Sequence, residues 1–381
     1  MHISEWMERI DLGKEIQEVY IHSFMFKLAV NLVTIFLPLY VLELGYSVRS
    51  VFLFFLVYYG AYVVASFPNA KVASRLGYKH ASLASSPVIL LFYLMLRADL
   101  TGTMLYGVAV VGGYGFNLYW SGMNPEVARS THGDDREEET GYFFSMPTMA
   151  SMLSPAVGGL VLSLYGFPLL FLVAAVLIGG SFVPFLFSGE HHEGNEMDPT
   201  AFFHRAHLSD FMTFAGKGIN SIGKKVLWPL YLALVIQSST SIGGAGSLLA
   251  LGGAVASITL GKVTGEDNRG RVITSAVAVT AVSYLFMSQV TSPGPALAVS
   301  FINGLGRTGM SLPIYSRAQE KAEEEDYVEY FAFREFALSA GRVVALAAFL
   351  IVFTAEPSSF TAGFAGIAAS LSLIAYFGKR F

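Results

Sequence analysis

The 381-residue chain is 54% hydrophobic and only 14% charged, against roughly 25% charged residues in ordinary soluble domains, which excludes a single water-soluble domain. A formal net charge of −4 gives no basic face of the kind nucleic-acid binding favours. Without cysteine, disulfides and thiolate metal or redox centres are excluded as well.

In chain order, Ile3, Trp6, Met7 and Ile10 fall at helical spacing and predict a short interfacial helix. The polar, acidic start and the long apolar run behind it predict no cleavable signal peptide. Runs that meet or approach the roughly 20 apolar residues needed to cross a bilayer lie at 24–42, 51–67, 81–95, 104–120, 144–165 and 167–187. A second set lies at 220–241, 243–260, 272–290, 293–314, 330–353 and 358–377. The third run is short, and Lys224 and Lys225 interrupt the seventh. Tyr165-Gly166-Phe167-Pro168 marks a tight hairpin between the fifth and sixth.

The pattern predicts an all-α integral membrane protein of twelve transmembrane helices in two pseudo-symmetric six-helix bundles. Their limits are residues 1–188 and 219–381, joined by a polar linker, 189–218. Lys and Arg placement orients the chain. Arg9, Lys14, Lys71, Arg75, Lys79, Arg129, Arg136, Arg205, Lys217, Lys262, Arg269, Arg271, Arg317, Lys321, Lys379 and Arg380 fall on one side, with only Arg49 and Arg97 opposite. Both termini are therefore expected in the cytoplasm and the protein in the plasma membrane.

The halves repeat one another at an offset of 191 residues, from Pro38-Leu39-Tyr40 to Pro229-Leu230-Tyr231. At that offset Ala70 meets Gly261, Gly113-x-Gly115 meets Gly304-x-Gly306, and the acidic run around Asp134 meets that around Glu325. Four matches at one offset indicate duplicated parallel halves.

Several local motifs carry a family resemblance. The loop after the second run reads Ala70-Lys-Val-Ala-Ser-Arg-Leu-Gly-Tyr-Lys79, and the loop after the eighth, Gly261 to Arg271, is a degenerate second copy. The fifth run holds Ser154-Pro-Ala-Val-Gly-Gly159. Together, along the whole chain, these resemble the G-x-x-x-D-R-x-G-R-K loop and G-P-x-x-G-G motif of the major facilitator superfamily. The resemblance implies secondary transport by rocking of two bundles around a midplane site. It also implies gating roles for Arg75, Gly77, Lys79, Pro155, Gly158, Gly159, Gly261, Glu266, Asp267, Arg269 and Arg271. Ser74 stands where that family has Asp, and Ala70 where it has Gly, so the family's charge latch is not carried over to the first half. The arginine that precedes the glycines of the family's fourth span is missing from Tyr106–Gly113, so no proton-coupling role is carried over there. Close packing explains Pro155, Gly158 and Gly159 equally well.

Charges within the hydrocarbon are costly and usually face a cavity or a partner. Lys27, Arg307, Arg334, Glu335 and Arg342 are such positions. Polar stripes at helical spacing accompany them: Lys27, Asn31 and Thr34; Asn117, Trp120, Ser121 and Asn124; Asn303, Arg307 and Ser311; Glu335, Ser339 and Arg342. The candidate substrate-binding residues are Lys27, Asn31, Asn117, Trp120, Asn124, Asn303, Arg307 and Arg342. The excess of deep positive charge points to an anionic or polar solute. The competing reading is structural: Arg342 pairs with Glu335, and Arg307 with backbone carbonyls. No acid lies near the midplane of the first half, which argues against a proton-coupled exporter of cations; His22 and Glu335 remain the candidates for proton coupling.

Gly218-x-x-x-x-Gly223-Lys224-Lys225 misses a P-loop at its last position and follows no strand, so nucleotide hydrolysis is excluded. His191, His192, Glu193, Glu196 and Asp198 lack ordered metal-ligand spacing and read as solvated linker. The expectation is a non-enzymatic, monomeric transporter of a small solute in the lipid bilayer, with no cofactor and no nucleic-acid partner. The rival readings are a lipid flippase on the same fold and a non-transporting membrane sensor or assembly protein.

Overall fold

The computed structural model describes residues 14–98, 100–130, 136–186, 208–261, 264–265, 267–353 and 358–381. The expected interfacial helix, most of the linker with its His191–Asp198 cluster, and Glu266 lie outside the described residues.

The fold is all helical. It comprises α1 (Lys14–Thr34), α2 (Leu37–Glu43), α3 (Val48–Leu76), α4 (Tyr78–Met95), α5 (Met104–Ser130) and α6 (Arg136–Ser181). After a short turn at Pro184–Leu186 come α7 (Leu208–Ile222), α8 (Trp228–Val235), α9 (Ser239–Gly261), α10 (Arg269–Met287), α11 (Pro293–Glu324), α12 (Tyr327–Val352) and α13 (Ser358–Phe377). Among the described residues, seven segments, including 21–43, 147–186 and 327–352, are long and apolar enough to cross a membrane. Large apolar side chains such as Ile351 (85% exposed) and Val64 (77%) point outward, whereas Asn117, Asn303 and Ser339 are fully buried. This inverts the usual soluble arrangement and marks a multi-pass membrane protein.

Local chemistry sets the breaks. Proline lacks an N–H and its ring clashes with the carbonyl four residues back, so α1 stops at Thr34 before Pro38. Gly77 takes φ 90° and ψ 159°, a backbone conformation open to glycine, and turns α3 directly into α4. Gly166 (φ 76°) divides α6 into two segments ahead of Pro168. Asp326 caps α12 by accepting from the backbone N–H groups of Val328 and Glu329 at 2.9 and 3.0 Å.

The main departure from expectation is α7. It begins at Leu208, inside the stretch read as linker. Hydropathy hides this helix because it carries Asp210, Lys217 and Asn220. Asp210 is buried and paired with Lys321 of α11 at 2.8 Å. Helix continues through the lysines in a wide π turn, Gly223–Leu227, that hands over to α8.

α3, α4 and α5 pack together, as do α9, α10 and α11. The first half of the chain meets the second through α3 on α12, α6 on α9, α5 on α12, and α2 on α8. α7 lies against α12 at backbone distance. A Cβ on Gly218 would strike the Leu338 carbonyl, and one on Gly341 the Ala215 carbonyl.

Candidate functional site

α1, α3, α5, α7, α11 and α12 direct their polar side chains into the middle of the molecule. On α11, Arg307 donates through Nη1 to the Asn220 carbonyl (2.9 Å), to Asn220 Oδ1 (3.3 Å) and to the Tyr284 hydroxyl (3.3 Å). Tyr284 in turn donates to Asn220 Oδ1 at 2.7 Å. Asn220 sits just ahead of the π turn, where the wide ring disturbs the regular ladder of backbone bonds, and Arg307 and Tyr284 serve its carbonyl. Gly223 leaves room for the Tyr284 ring, whose Cζ would lie 2.7 Å from an added Cβ.

On α12, Arg342 donates through Nε to Ser221 of α7 (3.1 Å) and through Nη1 to Ser339 (3.1 Å). Its guanidinium lies over the Tyr59 ring of α3, 5.0 Å from the centroid. One turn and three residues earlier, Glu335 accepts from Tyr62 of α3 (2.9 Å), Asn124 of α5 (3.2 Å) and Arg334 (2.7 Å). The carboxylate thus gathers three donors, two of them from the first half of the chain. Its charge partner is the adjacent Arg334, not Arg342.

Lys27 places Nζ 4.6 Å from the centre of the Trp120 ring, a cation–π contact. Three lysines of α7 and its π turn complete the centre. Lys217 interacts electrostatically with Arg334, Arg307 and Glu335, and Lys224 with Arg307 and Lys27. Lys225 interacts with Arg342, Lys224, Lys27 and Glu335. None of the three has a carboxylate at ion-pair distance among the described residues.

Of the eight candidate binding residues, Lys27, Trp120, Asn124, Arg307 and Arg342 converge on this centre. Asn31 donates to Ser151 of α6 at 3.0 Å. Asn117 accepts from Asn69 (2.8 Å) and donates to Ser66 (3.2 Å) inside the first half. Asn303 donates to Ser283 of α10 at 2.8 Å. These three tie helices together. Sequence reasoning missed Lys217, Lys224 and Lys225 as site residues because the first fell in the assumed linker and the others read as an interruption. Their signal was present: Asn220, Ser221, Lys224 and Lys225 form a polar stripe at helical spacing beside Lys217.

The candidate gating residues lie at helix ends and helix contacts. Lys79 is buried, 3.9 Å from Glu126, while Arg75 is exposed. Arg269 and Arg317 both bind Glu320, each at 2.9 Å. Burial pushes the Glu320 carboxyl up, but the bonds from Arg269 and Arg317 outweigh it and hold the group below its ordinary 4.5. Gly261, Asp267 and Arg271 are exposed. Pro155, Gly158 and Gly159 are buried where α6 packs closely on α1 and α9. A Cβ on Gly158 would strike the Leu32 carbonyl, and one on Gly159 would lie 2.6 Å from that of Ser239.

No group of acidic or histidine side chains among the described residues is arranged to hold a metal ion. The described helices form a polytopic bundle with a charged centre between its two halves. The family model of the Major Facilitator Superfamily matches residues 19–201 of the chain. No curated protein matches the sequence. Among solved structures, the chain is similar to a POT family transporter in complex with 5-aminolevulinic acid (TM-score 0.71, 13% identity, 96% of each chain covered). It is similar also to a peptide transporter POT in complex with sulfate (TM-score 0.69, 15% identity, 94% of this chain and 92% of that one). A third is the human organic anion transporter MFSD10 (TETRAN), with TM-score 0.66, 13% identity, and 96% of this chain and 98% of that one covered. At such identities the likeness is one of fold.

Proposed function

We propose that this protein is a secondary transporter that moves a small anionic solute by alternating access. In this reading the chain crosses the membrane twelve times, with both termini in the cytoplasm. Residues 1–188 and the stretch from α7 (Leu208–Ile222) onward form the two rocking bundles, and the residues between them form the link. One observation carries the choice of an anion. Among the described residues, seven basic side chains (Lys27, Lys217, Lys224, Lys225, Arg307, Arg334, Arg342) share the centre with one carboxylate, Glu335. Intramembrane cations without partners are costly, and an anionic solute supplies the missing charge. Fixed positive charge between two bundles also favours entry of anions over cations. The neighbours bound to sulfate and described as an organic anion transporter lend this reading support.

Glu335 gives the site a means of coupling to movement. It binds Tyr62 and Asn124 from the first half and Arg334 from its own helix. An anion that draws Arg334 away loosens this tie between the halves. The residues proposed to gate lie at the helix ends and contacts that must slide or part as the halves rock. The test is a stabilisation screen on the purified protein with anionic, neutral and cationic solutes, since bound solute raises apparent stability by mass action. Flux of each hit into proteoliposomes follows. Binding and counterflow of an anion are expected; flux of cations only, or movement of lipid reporters without any solute flux, refutes the reading.

A further inference from the structure

The two Pro-Leu-Tyr copies share their contacts as well as their residues. Tyr40 of α2 donates its hydroxyl to the Leu96 carbonyl at the end of α4, at 2.5 Å. Its ring packs against Phe167 (5.0 Å) and Phe171 (4.9 Å), one turn apart on the second segment of α6. Tyr231 of α8 donates to the Val290 carbonyl (2.8 Å) and the Ser288 carbonyl (3.2 Å), just past the end of α10. Its ring packs against Phe360 (5.5 Å) and Phe364 (5.7 Å), four residues apart near the start of α13. The last carbonyls of a helix have no partner within it, and each tyrosine supplies one. Each segment is thus set off from the regular helix before it and fastened elsewhere: α2 to α4 and α6, α8 to α10 and α13. Across the halves, α2 packs on α8.

We infer that Tyr40 and Tyr231 are paired pins that make α2 and α8 rigid parts of their own bundles. The contact of α2 with α8 then opens by turning of whole bundles, and not by bending of the two segments at the breaks ahead of Pro38 and Pro229. The inference rests on the twelve-span reading, which puts α2 and α8 at the outer face. Each pin joins a directional bond to a packed ring. Its segment cannot slide or turn without leaving a carbonyl unpaired, which is costly away from water. The second pin has a reinforcement that the first lacks. Trp228 stacks on Tyr231, with ring centres 5.9 Å apart, and donates through Nε1 to Ser300 of α11 at 3.0 Å. The equivalent residue of the first copy is Leu37, whose side chain has no donor. The position of α2 therefore depends more on its tyrosine than that of α8 does.

The test uses the full-length chain in intact cells, with an impermeant thiol reagent added outside; the lack of cysteine allows one labelled position at a time. Thr34→Cys reports on the space just inside the α2–α8 contact, and the Thr34 hydroxyl donates only within its own helix, to the Val30 carbonyl at 2.7 Å. Thr240→Cys, exposed at the start of α9, marks the outer face. Ser85→Cys, buried in α4, reports general loosening. Each is combined with Tyr40→Phe, with Tyr231→Phe and with both. Labelling of Thr34→Cys should quicken about three- to tenfold in Tyr40→Phe, the shift that one lost hydrogen bond gives an opening equilibrium. The gain should be smaller in Tyr231→Phe and largest in the double variant, while Ser85→Cys stays protected. If Tyr40→Phe fails to fold, the gain in Tyr231→Phe carries the inference. Unchanged labelling of Thr34→Cys in the folded variants, or an equal gain at Ser85→Cys, overturns the pins and leaves the topology standing. Failure of Thr240→Cys to label from outside overturns both.

Discussion

The stretch from α1 to α2 and the stretch from α7 to α8 occupy matching places 191 residues apart, and both lose regular helix just before the shared Pro-Leu-Tyr. The first tightens: the Phe36 N–H reaches back three residues to the Val33 carbonyl at 2.8 Å. The second widens: the Trp228 N–H reaches back five residues, to the Gly223 carbonyl. Both relieve the same clash, since each proline needs the ladder ahead of it to give way. The tight solution carries Val33 and Thr34, and the wide one carries Lys224 and Lys225 at the equivalent positions. Conversely, Lys27 of α1 corresponds to Gly218 of α7. The two stretches share the helix break ahead of Pro-Leu-Tyr but carry their lysines at different levels.

Exchange at the Lys27/Gly218 level gives the largest expected effect. Gly218→Ala drives a Cβ into the Leu338 carbonyl and should cost about 1–3 kcal/mol of stability as an overpacked contact. Lys27→Ala should leave the melting temperature in place and weaken solute binding. A Gly218→Ala protein that melts like the wild type would show that α7 and α12 do not need their close approach.

The double change Lys224→Gln, Lys225→Gln comes next. Removing two half-buried lysines that have no carboxylate at ion-pair distance among the described residues should raise thermal stability while abolishing solute flux, the trade expected of functional groups held against stability. Thr34→Val in the tight copy should alter neither. A double variant that loses stability and flux together would make the lysines structural.

Glu335→Gln should have a more moderate effect. Tyr62 and Asn124 donate to different oxygens of Glu335, so the amide keeps an acceptor for one of them, and one competing negative charge leaves the centre. Solute affinity is expected to rise by up to about tenfold, worth about 1.4 kcal/mol, while exchange slows because the tie no longer responds to charge. Equilibrium binding beside counterflow rates separates the two effects; weaker binding with unchanged exchange would refute the proposed coupling.

The smallest effect concerns the far end of α11. The Glu320 carboxyl titrates below its ordinary 4.5 in the folded protein, so it adds stability above that value, which is lost as pH falls through the folded pKa. The group is partly exposed, so the loss should not exceed about 1 kcal/mol. Melting curves from pH 7 to pH 3.5 should decline at the acid end, and Glu320→Gln should flatten that decline. An identical decline in the variant would assign it to other groups.

The membrane class and helical fold were legible because long apolar runs leave few alternatives. Arg307 and Arg342 were legible because a charge deep in such a run has no inexpensive environment. α7 was not, because a helix that lines a polar centre resembles a soluble segment in hydropathy. Asn117 and Asn303 illustrate the opposite difficulty. Their spacing matches a cavity-facing stripe, yet each bonds to a neighbouring helix, and spacing alone does not distinguish a partner in the same half from a ligand. The pairing of Glu335 with Arg334, and not with Arg342, depends on side-chain direction, which no periodicity encodes.

The three lysines of α7 and its π turn also bear on how the protein is built. The stretch from Leu208 to Val235 is not among the seven segments apolar enough to cross a membrane by themselves. Each lysine near the middle of a lone helix opposes insertion by roughly 2.5–3.5 kcal/mol on translocon scales. Such a helix leaves the insertion machinery with its neighbours, and α7 packs against α12 and α13. On the proposed twelve-span topology, insertion of this helix is expected to depend on its packing against α12 and α13.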